Sequence, residues 1–336
     1  MTGVLAFEIG GTRTEVLFGA PYYPPGALRV FDQTTHSLFG SGAERLVAIP
    51  AGEKAKCWAS VESVLTRAAS LGLGRDDAMV GVGGGVVCDV AAFAASLYMR
   101  GCTLLLVPTT LLAMVDASLG GKTGIDFTGY KNLVGTFYPA SRIYIDVMVL
   151  STLPQREYHS GLAEVIKTAI IGDAELFSLL ERSPQEVQDR HPGITEEMIR
   201  RCLAVKGRIA HEDPRESGVR AVLNLGHTFG HALESATSFS GWTHGEAVAW
   251  GLGKALDLGV RLGLTDADFA FRVRSLLTRY GFRLKADSGY PELARAFERD
   301  KKKLGGRLRF VIPRNLCDIV LQEASASELA EVLGKD

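Results

Sequence analysis

The stretch that most narrows the fold is Ala78-Met-Val-Gly-Val-Gly-Gly-Gly-Val-Val-Cys-Asp89. Its apolar start predicts a buried strand, and the apolar run over 86–98 predicts a helix. Glycines at such a strand-to-helix turn let the backbone approach a ligand closely, and the helix N-terminus offers unpaired N–H groups to a phosphate. The pattern departs from Gly-x-Gly-x-x-Gly because Val86 stands in the third glycine's place. A nucleotide pyrophosphate site and a tight structural turn both fit it.

Around this unit the periodicity predicts further strands over 28–31, 47–49, 103–107 and 142–146, with an amphipathic helix over 57–72. Asp32, just past a strand end, is placed either to bind a ribose hydroxyl or to cap a helix. Gly120-Gly-Lys-Thr-Gly124 lacks the first glycine of an ATPase phosphate loop, which excludes that reading. Lys122 in a glycine-rich loop still suits a phosphate, and Lys131-Asn132 adds a cation and an amide donor. The loop is long for a connector, which favours function.

From about 155 to 285 the texture becomes helical. The length of 336 residues accommodates two cores, and we place the boundary near 150: an α/β domain over 1–150 and a helical domain over 151–336. In the second half, three of the seven histidines cluster as His227, His231 and His244. His227 and His231, four apart, share a helix face. A turn through Ser238-Phe-Ser-Gly241 would fold His244 back toward His227. Converging imidazoles suit a divalent metal such as zinc; helix-face histidines with ordinary hydrogen bonds are the alternative. A metalloprotease reading fails because Thr228 stands where its glutamate would be. Glu164 lies among Leu162, Ala163, Val165 and Ile166, so its carboxylate needs a partner: Lys167 three residues on, or a metal. Lys206 is read as ending a helix, and Arg220 as opening one after an acidic loop with Glu212, Asp213 and Glu216. The small-residue run 245–262 reads as a buried helix, 308–312 as a strand and 325–336 as a short surface helix.

Composition excludes several classes. Lys plus Arg (37) nearly balances Asp plus Glu (38), so there is no basic field for nucleic acid. No apolar run reaches about 18 residues, so no membrane span is expected. The N-terminal residues lack a signal-peptide pattern. Five scattered cysteines fit reduced thiols in a cytoplasmic protein.

In combination, several segments resemble the 3-dehydroquinate synthase family over about residues 45–312. They are Gly83-Gly-Gly-Val-Val-Cys-Asp89, Tyr98-Met-Arg-Gly101, Pro108-Thr-Thr-Leu-Leu112, Val115-Asp116 with Gly120-Gly-Lys-Thr-Gly124, and Lys131-Asn-Leu133. In the second half they are Ser160-Gly-Leu-Ala-Glu-Val-Ile-Lys167, Asn224-Leu-Gly-His-Thr-Phe-Gly-His231 and His244-Gly-Glu246. The resemblance implies a Rossmann-like NAD-binding domain followed by a helical metal-binding domain, with the active site between them, in a homodimer. It assigns a divalent metal, zinc or cobalt, to Glu164, His227 and His244, leaving His231 free of it. It assigns NAD to Gly84, Gly85, Asp89, Thr109, Thr110, Lys122 and Lys131, with Glu53 and Lys56 near the adenosine end. The substrate phosphate falls to Arg100, from the partner subunit, with Lys122, Asn132, His231 and Lys301. The carboxylate side falls to Lys206, Arg220 and Asn224, and the ring hydroxyls to Asp116 and Lys167.

The implied reaction converts the sugar phosphate 3-deoxy-D-arabino-heptulosonate 7-phosphate to 3-dehydroquinate and phosphate. Departures from the family pattern fall in the first 45 residues, at the Ala51-Gly-Glu-Lys54 turn, at Cys88 and at Asp126. Three other readings compete: a cyclase for sugar phosphates without a carboxylate, a related metal- and NAD-dependent polyol dehydrogenase, and a catalytically silent NAD-binding protein. Lys206, Arg220, Asn224 and His231 argue for the carboxylate-bearing substrate.

Overall fold

The computed structural model describes residues 3–237, 241–286, 292–295, 297 and 308–334. The chain forms two compact units, Met1–Pro154 with Lys206–Glu216, and Gln155–Val205 with Ser217–Asp336.

The first unit is built on a seven-stranded sheet. Its strands are β1 (Leu5–Ile9), β2 (Thr12–Phe18), β3 (Leu28–Asp32), β4 (Leu46–Ile49), β5 (Ala78–Gly83), β6 (Thr103–Pro108) and β9 (Arg142–Ile145), in the order β1-β2-β9-β6-β5-β3-β4. All neighbours are parallel except β1, which pairs antiparallel with β2. β5 is buried along its whole length and β6 along all but its first residue, as a parallel sheet covered on both faces requires. Helix α2 (Trp58–Ser70) packs on β4, and α3 (Gly85–Leu97) on β5 and β6.

The β1–β2 hairpin was not resolved from the sequence. Its turn is Gly10-Gly11, both left-handed, the pair a two-residue hairpin turn favours. The long loop around Lys122 contains a second hairpin, β7 (Ile125–Phe127) with β8 (Tyr130–Val134). Asp32 caps α1 (Gln33–Phe39): its carboxylate accepts the Thr35 N–H at 2.7 Å, and Thr35 Oγ1 accepts the Asp32 N–H. The cap reading of Asp32 therefore holds.

The second unit contains α4 (Gln155–Gly172), α5 (Ala174–Arg182), α6 (Pro184–Gln188), the start of α7 (Pro192–Glu212), α8 (His227–Ala236), α9 (His244–Arg261) and α10 (Ala267–Arg279). The hairpin of β10 (Arg309–Asn315) with β11 (Asp318–Glu323) and helix α11 (Ala326–Leu333) follow. α9 is its axis: it packs on α8, α4, β10, α11 and α10 and buries nearly every residue from Gly245 to Leu258. α11 is docked by Leu329, Val332 and Leu333 rather than lying wholly on the surface. Among the described residues, no helix is long and apolar enough to cross a membrane.

Two boundaries differ from the sequence reading. Lys206 does not end its helix, because α7 continues to Glu212. Its last turns belong to the first unit, where the Phe7 ring fills the space beside Gly207 and His211 Nδ1 meets the Glu8 carbonyl at 2.7 Å. Arg220 lies in a 3-10 turn over Val219–Asn224, ahead of α8.

The triple glycine also has a packing role. A Cβ on Gly83 would lie 2.6 Å from the Val87 side chain, so the first turn of α3 sits directly on the strand end. Gly83→Ala is therefore expected to destabilise the protein by about 1–3 kcal/mol through overpacking. Urea unfolding should show a lowered midpoint, and Val87→Ala in the same chain should recover part of the loss. Simple additivity of the two changes would rule out the clash as the cause.

Candidate metal centre and active site

In the second unit three helices converge. α4 is almost wholly buried from Tyr158 to Ile171, and Glu164 (1% exposed) and Lys167 (2%) are inside that run. The start of α9 lies against α4 because Gly245 has no side chain: a Cβ there would sit 1.9 Å from the Ser160 carbonyl oxygen. The Gly245 N–H donates to Ser160 Oγ at 3.0 Å. A capping box fixes this helix start, with Thr243 Oγ1 accepting the Glu246 N–H at 3.2 Å and Glu246 accepting the Thr243 N–H at 2.6 Å. Burial pushes the Glu246 carboxyl up, but hydrogen bonds from Arg156 and the Thr243 N–H outweigh it and hold it below the usual range.

These constraints set His244 beside Glu164. Nε2 of His244 and Nε2 of His227 each lie 3.7 Å from Glu164 Oε1. One ligand atom from each of the three residues lies within 4.8 Å of the others. A tetrahedral ion with bonds of about 2.0–2.1 Å holds its donors roughly 3.4 Å apart, so the spacing is close to a zinc site's. Neither Glu164 oxygen accepts a hydrogen bond, although the Lys167 ammonium forms an ion pair with Oε2. Oε1, facing the two imidazoles and not the ammonium, is placed to ligate a cation. His227 Nδ1 faces the Leu225 carbonyl at 3.2 Å, which keeps its proton there and leaves the Nε2 lone pair for a metal. The donor set of two imidazoles and a carboxylate fits a catalytic metal with an open position.

A second trio, His231, Glu234 and His244, is equally close. His231 is exposed, whereas the first trio holds the buried carboxylate without hydrogen bonds, so the first is the better candidate to hold a metal. Glu234 escaped the sequence reading. The signal was present: His227, His231 and Glu234 fall on one face of α8 at i, i+4 and i+7.

The first unit presents a separate set of polar groups. Gly84 is the N-cap of α3 and makes no side-chain cap bond, so the first-turn N–H groups of Gly84, Gly85 and Val86 lie at a helix start suited to a phosphate. Asp89, one turn in, forms an ion pair with buried Lys56. Burial pushes the Lys56 ammonium down, but Asp89 outweighs it and holds the group charged, above its usual range. The Lys56 carbonyl accepts the Asp126 N–H at 2.8 Å, and the Asp126 carboxylate accepts the Asn132 N–H at 2.9 Å. Asp126 thus ties the β7–β8 hairpin to Lys56. Burial drives the Cys88 thiol well above its ordinary range, so it is inert packing.

Thr109 donates its N–H to the Gly83 carbonyl at 2.9 Å, and Thr110 Oγ1 accepts the Ala113 N–H at 3.1 Å. A π-helical turn over Ala113–Ala117 follows and carries Asp116, where Lys206 Nζ donates to Oδ1 at 2.6 Å. Lys122 forms an ion pair with Glu216, and Lys131 is exposed on β8. Glu53 is exposed in the turn before Lys56. Arg100 is exposed and follows Met99, both in the left-handed region (φ 64° and 49°), a costly pair outside glycine.

The sequence-predicted residues thus fall into two groups. Glu53, Lys56, Gly84, Gly85, Asp89, Arg100, Thr109, Thr110, Asp116, Lys122, Lys131, Asn132 and Lys206 belong to the first unit. Glu164, Lys167, Arg220, Asn224, His227, His231 and His244 belong to the second, where Arg220 is buried. Lys301 and residues 238–240 of the expected turn lie outside the described residues.

Thr243→Ala removes the cap that starts α9 at His244. A cost of about 0.5–2 kcal/mol in metal-free stability is expected. A calorimetric comparison with Thr243→Ser, which retains the cap, checks it; equal midpoints for both variants would contradict the role assigned to the hydroxyl.

Two family models match adjoining stretches of the chain. The N-terminal model of 3-dehydroquinate synthase matches residues 46–160 and the C-terminal model residues 161–303. The 3-dehydroquinate synthase of Colwellia psychrerythraea is 41% identical over 269 residues, 80% of this chain and 76% of that protein. A 2-epi-5-epi-valiolone synthase from Streptomyces hygroscopicus subsp. jinggangensis, solved with NAD+ and Zn2+ bound, is 30% identical with a TM-score of 0.86, covering 95% of each chain. A 2-deoxy-scyllo-inosose synthase complexed with carbaglucose-6-phosphate, NAD+ and Co2+ is 26% identical with a TM-score of 0.87, covering 98% of this chain and 99% of that one. The chain belongs to the 3-dehydroquinate synthase family.

Proposed function

We propose that the chain is a 3-dehydroquinate synthase, a carbon–oxygen lyase of the shikimate pathway. It converts 3-deoxy-D-arabino-heptulosonate 7-phosphate to 3-dehydroquinate and phosphate. The observation that carries this reading is the buried Glu164 carboxylate, facing His227 and His244 with no hydrogen bond of its own.

Glu164, His227 and His244 hold the divalent metal, zinc or cobalt. Gly84, Gly85, Asp89, Thr109, Thr110, Lys122 and Lys131 hold NAD, with Glu53 and Lys56 toward the adenosine. When bound, the two groups supply a Lewis acid for the carbinol and ketone oxygens and a hydride acceptor that returns its hydride within each turnover. The remaining work falls to the chain. Arg100, Lys122, Asn132, His231 and Lys301 hold the phosphate dianion without trapping it; the dianion accepts the proton removed beside the new ketone, a C=C bond forms and the C–O bond to phosphate breaks. Lys206, Arg220 and Asn224 hold the substrate carboxylate. Asp116 and Lys167 orient the ring hydroxyls; Asp116 is fixed beforehand by Lys206, which donates to both its side-chain and main-chain oxygens. Few general bases are present because the leaving group moves its own proton.

The enzyme acts as a cytoplasmic homodimer in this reading. Five cysteines, odd in number, scattered and never in a Cys-x-x-Cys pair, support the compartment. Exposed Phe127, Tyr130, Leu133 and Phe137 lie on and beside the β7–β8 hairpin, and Tyr138 Oη donates to the Cys102 carbonyl at 2.6 Å, just past the strained Arg100 turn; this exposed apolar group supports a partner there.

Phosphate release from the heptulosonate phosphate, with absorbance followed at 340 nm, tests the activity. Catalytic phosphate release without net NADH is expected. Stoichiometric NADH would point to a polyol dehydrogenase. Turnover of sedoheptulose 7-phosphate or glucose 6-phosphate in place of the heptulosonate would point to another cyclase. Glu164→Ala should lower turnover at least about a thousand-fold, since a Lewis acid is worth several kcal/mol. For the dimer, Arg100→Ala and Lys167→Ala chains are combined. If Arg100 acts in trans, each verified heterodimer carries one complete site and recovers about half the wild-type rate. Absence of recovery would place Arg100 in its own subunit's site.

A further inference from the structure

We infer that Glu234 is a positioning residue for the metal, acting through His244. The inference rests on the reading of Glu164, His227 and His244 as the ligands and goes one layer beyond it.

Glu234 is 5% exposed, near the end of α8, and its Oε1 lies 3.4 Å from His244 Nδ1. The other nitrogen of the same ring lies 3.7 Å from Glu164 Oε1. One imidazole thus stands between two buried carboxylates, one at each nitrogen. A neutral ring carries a single proton, and the metal needs a lone pair. With Glu234 accepting the Nδ1 proton, the Nε2 lone pair is turned to the metal and the ring plane is held. The reverse tautomer would set a proton against the ion and a lone pair against Glu234.

The two ligand histidines are therefore fixed by different acceptors. His227 uses the neutral Leu225 carbonyl, and His244 uses a carboxylate. This asymmetry has a physical reason. His227 opens α8 two residues after Leu225 and finds a backbone acceptor locally. His244 opens α9, and its Nδ1 is met by a side chain from α8. Glu234 also brings a second buried carboxylate to the ring that faces the ion. Carboxylate–histidine–metal relays of this kind tune affinity without adding a ligand.

The experiment measures Zn2+ affinity of the full-length, NAD-free protein by competition with a chromophoric chelator. Glu234→Ala should raise the Kd about 10–100-fold. Glu234→Gln, isosteric and still able to accept the Nδ1 proton, should raise it less, and it carries the test if the alanine variant fails to fold. Glu164→Ala should weaken binding more than either. In zinc-loaded protein with 15N-labelled histidine, wild type should show a protonated Nδ1 and a metal-bound Nε2 on His244, and Glu234→Ala should lose that Nδ1–H signal. If both Glu234 variants stay within about two-fold of wild type while Glu164→Ala loses the metal, the inference fails and the ligand assignment stands. If Glu234→Ala abolishes binding and Glu164→Ala keeps it, the ion belongs to His231, Glu234 and His244, and both readings fall.

Discussion

A carboxylate inside a helical core is the constraint on which the second half of the chain is arranged. Glu164 sits on a helix buried on nearly every face, where an uncompensated charge would cost several kcal/mol. Everything near it answers that cost. Lys167 supplies a cation from the same helix, and two imidazoles come from α8 and α9. Gly245 and the Thr243 cap exist to bring the second imidazole within reach. Stability and chemistry draw on the same group here, so packing in this unit is inseparable from the site.

The first unit solves a different problem. Its parallel sheet delivers strand ends and helix starts to one edge, where backbone donors and a few lysines are suited to an anion. Charged side chains there are held in pairs: Lys56 with Asp89, Lys206 with Asp116, Lys122 with Glu216. Pairing fixes long, flexible side chains, so less rotamer freedom remains to be lost on ligand binding.

Most of this architecture was legible because it follows from local rules. Apolar runs of strand length with glycine punctuation gave β3 to β6 and β9, and the clustered histidines pointed to the candidate metal site. What escaped depended on contacts distant in sequence. β1 and β2 are half-exposed strands whose alternation is weak. The hairpin around Lys131 looked like a loop because β8 buries almost nothing. Glu234 resembled an ordinary helical glutamate until the fold set His244 against it. The extension of α7 past Lys206 was missed because what stabilises its last turns is Phe7, some two hundred residues away in the chain.

That returning segment has a consequence for how the molecule can be divided. The first unit is discontinuous: the sheet's outer hairpin rests on the final turns of a helix that begins in the other unit. A fragment cut after Pro154 would leave the Phe7 ring bare, and a chimera joined at that point would graft a foreign helix end under β1. Recombination between relatives is better tolerated when the donor of the N-terminal half also contributes residues 206–216.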